Sequence, residues 1–146
     1  MKKVLFLCSG NTCRSPMAAC LFNHLCQSRK LPFAACSAGL YARQGSPASD
    51  GAFEAMKERG LSLLRHSAQS LSAALLQDAS LVLAMSPQHA ALCQERFPDS
   101  VAPVHSFSPP INDPFCGSLE TYRATADALE SQIVRLIDKL AQDDLY

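Results

Sequence analysis

The chain has 146 residues, 48% of them hydrophobic and 18% charged, the length and composition of one ordinary domain with one core. Folding at this length buries roughly 68–70% of the surface the unfolded chain exposes, so neither a metal nor a disulfide is needed to hold it together. Lys and Arg number 13, as do Asp and Glu, which argues against a broad basic field for nucleic acid or an anionic membrane and leaves any anion site local.

Lys3–Leu7 is a short apolar run that predicts a buried strand ending at Cys8-Ser9-Gly10-Asn11, residues suited to a tight loop. Ser15 as cap and Pro16 in the first turn predict a helix with Met17, Leu21, Phe22 and Leu25 on its inward face. Phe33–Ser37 predicts a second strand closed by Gly39. A helix from about Pro47 to Arg59 follows, with Phe53 and Met56 inward and Gly60 as its stop. Leu71–Gln77 predicts a short helix, Ala79–Met85 a buried strand, Pro87–Phe97 a helix and Ala102–His105 a last short strand. Pro109, Pro110, Pro114 and Gly117 make Phe107–Gly117 a loop. The last helix carries Tyr122, Ala126, Leu129, Ile133, Leu136 and Leu140 on one face, with Ser118 as cap and Glu120 near the positive end of its dipole. This alternation predicts an α/β fold, a mostly parallel sheet with helices on both faces. Its ligand site lies beyond the carboxyl ends of the strands, where Cys8 stands.

The cysteines are Cys8, Cys13, Cys20, Cys26, Cys36, Cys93 and Cys116. Their odd number, with no secretory leader pattern, predicts a reducing cytoplasmic setting. No pair has the CxxC spacing of structural zinc sites, and no apolar run reaches the length of a membrane span. Neither a metal nor another cofactor is expected.

Cys8-Ser9-Gly10-Asn11-Thr12-Cys13-Arg14-Ser15 places a thiol and a guanidinium on one loop between a strand and a helix N-terminus. Such a loop, curled, turns backbone N–H groups inward as an anion nest backed by the helix dipole, and Arg14 adds a bidentate fork for phosphate. The same field favours a nucleophilic thiolate at Cys8, to which Ser15 can donate a hydrogen bond. Gly10 and Asn11 are residue types that tolerate the positive φ a tight cradle demands. Thiolate attack on phosphorus also needs an acid for the leaving atom and later a base for water. Asp113, stiffened by Pro114, is the candidate for both; by composition alone it reads equally well as a turn residue.

The run Val4-Leu5-Phe6-Leu7-Cys8-Ser9-Gly10-Asn11-Thr12-Cys13-Arg14-Ser15-Pro16 resembles the signature of the low-molecular-weight protein tyrosine phosphatase family. The resemblance continues through Ser37-Ala38-Gly39, the Ala79–Met85 strand, and Asp113-Pro114-Phe115 before the terminal helix. It implies a single-domain three-layer sandwich with a four-stranded parallel sheet, no metal, and a phosphocysteine intermediate. Carried over by position, Cys8 is the nucleophile, Arg14 the phosphate clamp, and Asp113 the acid then base. Ser9, Gly10, Asn11, Thr12, Cys13, Arg14 and Ser15 form the phosphate-binding loop, with Asn11 and Ser15 ordering loop and thiolate. Thr12 resembles the bacterial protein arginine phosphatases, in which a threonine there is thought to orient water and disfavour phosphotyrosine. The segment from Asp113 to Ser118, then Tyr122, looks like theirs too, apart from Cys116, where glycine is usual; Ser9 and the short Ser108–Asn112 approach also depart from the pattern.

The resemblance therefore implies a phosphatase acting on phosphoarginine in proteins, and a monomer is expected. Phosphotyrosine is the alternative substrate, and thiol-dependent arsenate reduction a different class of activity. Tyr41 and Phe115 are expected as selectivity walls, able to flank a guanidinium or a phenyl ring, although Tyr41 could instead cover a loop. Cys13 is either the partner of Cys8 in a reversible disulfide or a small apolar plug. Cys20, Cys26, Cys36 and Cys93 read as core fillers. His24, His66, His89 and His105 share no metal spacing and are expected to lie away from the Cys8 loop and Asp113. Glu54, Lys57, Glu58 and Arg59 read as one solvated helix face.

Overall fold

The computed structural model describes residues 2–142. Its strands are β1 (Lys2–Cys8), β2 (Phe33–Gly39), β3 (Leu81–Ala84) and β4 (Val104–Ser106); its helices are α1 (Arg14–Ser28), α2 (Asp50–Glu58), α3 (Ala73–Asp78), α4 (Pro87–Arg96) and α5 (Leu119–Ala141). The strands pair in parallel in the order β2-β1-β3-β4, with Cys8 level with Gly39 and Leu7 level with Ala84.

Alternation along β1 divides its side chains between two cores. Val4, Phe6 and Cys8 join Met17, Phe22, Met56, Leu129 and Ile133 beneath α1, α2 and α5. Leu5 and Leu7 join Val82, Leu76 and Cys93 beneath α3 and α4. Buried on both faces from Val4 onward, β1 reads there as a continuous apolar run because none of those positions meets water. Phe6 and Phe22 are fully enclosed, edge to face with centroids 5.7 Å apart, and burying each contributes on the order of 1.5–3 kcal/mol.

The hydroxyl caps explain where the observed helices begin. Ser49, Ser72, Ser86 and Ser118 each accept a backbone N–H of the first turn, so α2 starts at Asp50 rather than Pro47 and α3 at Ala73 rather than Leu71. Helix α1 is the exception. Ser15 lies inside it, and the N-cap position is Cys13, which makes no side-chain cap bond. The predicted solvated face of α2 is in part a contact with α5. Arg59 pairs with Asp127 and Glu130, and Arg123 holds Glu58 through Nε at 2.8 Å. Pairs this exposed are screened by solvent, so they orient α2 more than they hold it.

Candidate active site

The sheet order reverses direction at β1, so the chain leaves β1 and β3 on opposite sides and opens a crevice at their carboxyl ends. Cys8 ends β1 in that crevice, almost fully buried, and residues 8–14 curl over it into α1. Its Sγ lies 2.9 Å from Ser15 Oγ and accepts the Asn11 N–H at 3.3 Å. Ser15 thus spends its hydroxyl on the sulfur, which is why it does not cap α1.

Asn11 is the keystone of the loop. It sits at φ 58, in the left-handed region that asparagine tolerates better than most residues, and it is completely buried. Its Nδ2 donates to Ser15 Oγ (2.8 Å) and Ser37 Oγ (2.9 Å), while its Oδ1 accepts the Gln69 N–H (2.9 Å). Glycine would suit the φ but would forfeit this network. Gly10, by contrast, does not take up a positive φ.

The loop carbonyls are engaged from outside. Tyr41 N–H donates to Ser9 O, Ser49 N–H to Thr12 O, and His66 Nε2–H to Asn11 O, at 2.8, 2.9 and 2.7 Å. Gly39 leaves room for this packing, since a Cβ there would stand 2.5 Å from Ser9 O. Engaging those carbonyls from outside is what a loop needs if its amides are to be free for an anion.

The cleft has a volume of about 230 Å³ and is lined by residues 8–14, Asp113 and Phe115. Arg14 is buried, donates Nη1 to Ile111 O at 3.0 Å, and holds Nη2 3.7 Å from Asp113 Oδ2. Asp113 reaches the rim with its side chain about half exposed, and its Oδ1 accepts the Phe115 N–H at 3.0 Å. The expected trio of Cys8, Arg14 and Asp113 therefore meets in one place, with Thr12 beside it. Of the two expected walls, Phe115 lines the cleft and Tyr41 does not. The Tyr41 ring lies over the Arg96 guanidinium, 4.6 Å from centroid to Cζ, and Arg96 also donates to Leu40 O.

Cys8 and Cys13 are free thiols. Cys13 Sγ lies 3.1 Å from Ser49 Oγ and 3.4 Å from Tyr122 OH. Burial and the Cys13 contact push the Tyr122 phenol up to about 12, so it remains a neutral O–H that ties α5 to the loop. Burial likewise raises the Cys20, Cys26, Cys36 and Cys93 thiols, as befits side chains with a packing role.

Two histidines correct the sequence reading. His66 holds Asn11 as described, and His89 Nε2 lies 2.8 Å from Ser9 Oγ with Nδ1 2.5 Å from Ser86 Oγ. Burial, reinforced by the Arg14 charge and opposed by Asp113, holds His89 below the usual histidine range. Neither contact follows from sequence spacing: β1 and β3 must first pair in register, which sets the first turn of α4 beside Ser9. Ser37 and Gln69 were also missed as supports, the first because its Ser37-Ala38-Gly39 context reads simply as a strand end.

A thiol on the floor of an anion nest can do what the nest alone cannot, which is to bond covalently to the anion's central atom. That chemistry defines the cysteine-based phosphatases, and the low molecular weight phosphotyrosine protein phosphatase model matches residues 3–145: the chain belongs to that family. It is 40% identical to the protein-arginine-phosphatase of Geobacillus stearothermophilus over 94% of this chain and 95% of that one. Among solved structures, the low molecular weight protein tyrosine phosphatase of T. tengcongensis matches at TM-score 0.91 and 37% identity, covering 95% of this chain and 99% of its own. A Cys-to-Ser mutant of the YwlE arginine phosphatase, its active-site serine phosphorylated, matches at TM-score 0.93 and 33% identity, covering 97% of both chains. The four-stranded parallel sheet is thus the family fold.

Proposed function

We propose that this phosphatase hydrolyses phosphoarginine in proteins in the cytoplasm, through a phosphocysteine at Cys8 and with no metal step. The observation that carries the reading is the single cleft that brings Thr12 together with Cys8, Arg14 and Asp113. The similarity to a protein-arginine-phosphatase over nearly the whole chain supports the same substrate.

In the first step Cys8 Sγ, as thiolate, attacks phosphorus and the P–N bond breaks. Asp113 gives its proton to the departing guanidine, which is strongly basic when neutral and leaves poorly without one. Arg14, held by Ile111, presents its remaining N–H groups to the phosphoryl oxygens together with the loop amides, so charge is stabilised without reorganisation. In the second step Asp113, now a carboxylate, takes a proton from water as its oxygen attacks phosphorus. The P–S bond breaks and inorganic phosphate departs. Ser15 and the Asn11 N–H stabilise the returning thiolate. Thr12 is read as orienting that water and narrowing the mouth against a phenyl ring, and Phe115 as a flat surface for the substrate guanidinium. Cys8 and Cys13 are further read as a pair that closes reversibly under peroxide, losing two protons and two electrons and shielding the nucleophile.

The test is initial rates on phosphoarginine and phosphotyrosine peptides side by side, with Cys8→Ser as control and Thr12→Ile as probe. Preference for phosphoarginine, shifted toward phosphotyrosine by Thr12→Ile, is the expected result. Preference for phosphotyrosine by the unaltered chain overturns the substrate assignment, and no Cys8-dependent turnover overturns the mechanism.

A further inference from the structure

We propose that His89 is a positioning residue that turns Ser9 into a hydroxyl donor to the bound phosphoryl group, through a relay running from Ser86 to His89 to Ser9. The proposal rests on the reading of residues 8–14 as a phosphate cradle and adds to it a connection to α4.

A bound phosphoryl anion selects the direction of the relay. Ser86 Oγ caps α4 by accepting the His89 backbone N–H at 3.3 Å, and the same oxygen lies 2.5 Å from His89 Nδ1. If Nδ1 carried the ring proton, Ser86 Oγ would accept twice and its own O–H would have no acceptor among these groups. If Nε2 carries it, Ser86 O–H donates to Nδ1, Nε2–H donates to Ser9 Oγ at 2.8 Å, and the one proton left to place is that of Ser9, for which a phosphoryl oxygen in the cleft is the acceptor. The second arrangement has a chemical consequence. With one Ser9 lone pair engaged by the imidazole, the Ser9 proton is released toward the cleft that Ser9 lines. The opposite tautomer would direct the Ser9 proton at His89 and its lone pairs at the anion. Burial, helped by the Arg14 charge, favours the neutral ring the relay needs by holding His89 below the usual range; Asp113, the other charged group acting on the ring, pulls the opposite way. Ser9 Oγ thus becomes a donor alongside the loop amides and Arg14, at a position where an apolar side chain would offer none.

The bond is made to a phosphoryl oxygen present in both ground and transition states, so its loss shows in binding more than in turnover. The experiment is a double-mutant cycle of Ser9→Ala and His89→Ala, reading KM and kcat on a small aryl phosphate and the inhibition constant of inorganic phosphate. Ser9→Ala is expected to weaken phosphate binding about tenfold, the effect of one hydrogen bond to a charged group, with kcat within about threefold. His89→Ala should weaken it several-fold in the unaltered chain and not at all in the Ser9→Ala background. Ser9→Thr, which restores the hydroxyl, and His89→Gln, which restores an N–H donor, should recover binding. Equal effects of His89→Ala in both backgrounds, or unchanged phosphate inhibition in Ser9→Ala, overturn the relay. Calorimetric titration of inorganic phosphate into Cys8→Ser protein carrying the same substitutions reads the relay without turnover, so its failure is distinct from failure of the proposed reaction.

Discussion

Two loops meet at the cleft and are built in opposite ways. The 8–14 loop is buried and held from every side: Asn11 from Ser15, Ser37, Gln69 and His66, Ser9 from Tyr41 and His89, Thr12 from Ser49. The loop after β4 is anchored at its near end by Ile111, buried, whose N–H donates to Met85 O and whose carbonyl takes Arg14. Beyond Ile111 it opens to solvent, with the Asp113 side chain half exposed and Phe115 at 66% exposure. On the proposed mechanism, the contrast follows from what each loop supplies. Stabilising phosphoryl charge works only if the dipoles are already in place, so the residues that make the nest are over-determined, strained φ included. Handing a proton to a leaving group and then taking one from water requires contact with both, which a buried carboxylate would not have.

Matched substitutions on the two loops should therefore separate activity from stability. Asp113→Asn is expected to cost on the order of 10²–10⁴ in turnover of phosphoarginine while shifting unfolding by no more than about 0.5 kcal/mol, as an exposed site does. Substrates with better leaving groups should lose less. Asn11→Ala should cost on the order of 2–4 kcal/mol in chemical denaturation as well as activity, because buried groups on Ser15, Ser37 and Gln69 lose their partner and alanine is strained at φ 58. A stable Asn11→Ala protein, or an unfolded Asp113→Asn protein, would break the contrast.

A smaller effect belongs to the rear of the rigid loop. His89 sits below its usual value of 6.5, so at low pH the unfolded chain takes up a proton that the folded chain resists. The His89 contribution is fully present above pH about 6.5 and is lost as pH falls from there through the lower folded value. Melting temperature should decline over that window, and His89→Gln should flatten the decline there while leaving acid unfolding by carboxylates in place.

Much of this was legible along the chain because strand, cap and turn signals are local. Lys3–Leu7 carries its apolar run and the face from Tyr122 to Leu140 its helical periodicity in sequence, and Ser118 and Gly60 mark helix ends by chemistry that acts within a few residues. The Cys8, Arg14 and Asp113 constellation needed the family resemblance for its third member, since nothing local distinguishes Asp113 from a turn aspartate. What stayed hidden is non-local. His66 and His89 reach Asn11 and Ser9 across 55 and 80 residues, and Tyr41 is drawn from the expected wall to Arg96 across a similar span. Ser15 shows the same limit from the other side: its local chemistry says cap, and a buried thiol 2.9 Å away overrides it.

The exposed loop carries its own strain, at Cys116, and relieving it gives the finest test of the contrast. Cys116 has φ 64, where a residue with a Cβ is disfavoured by about 1–2 kcal/mol relative to glycine's freedom. Its neighbour Gly117 is constrained differently, for a Cβ there would stand 2.7 Å from Pro114 O. Cys116→Gly removes the first penalty but gives the unfolded chain more conformations, which returns roughly 0.5–1 kcal/mol. The net expectation is a gain of up to about 1 kcal/mol in denaturation free energy, with kcat unchanged, because the side chain is exposed and does not line the cleft. A stability gain with unaltered turnover would mean that the tip merely bears strain. A fall in kcat would mean that the strained turn helps set where Asp113 delivers its proton, and the division between a rigid nest and a loose acid would have to be drawn closer to Phe115.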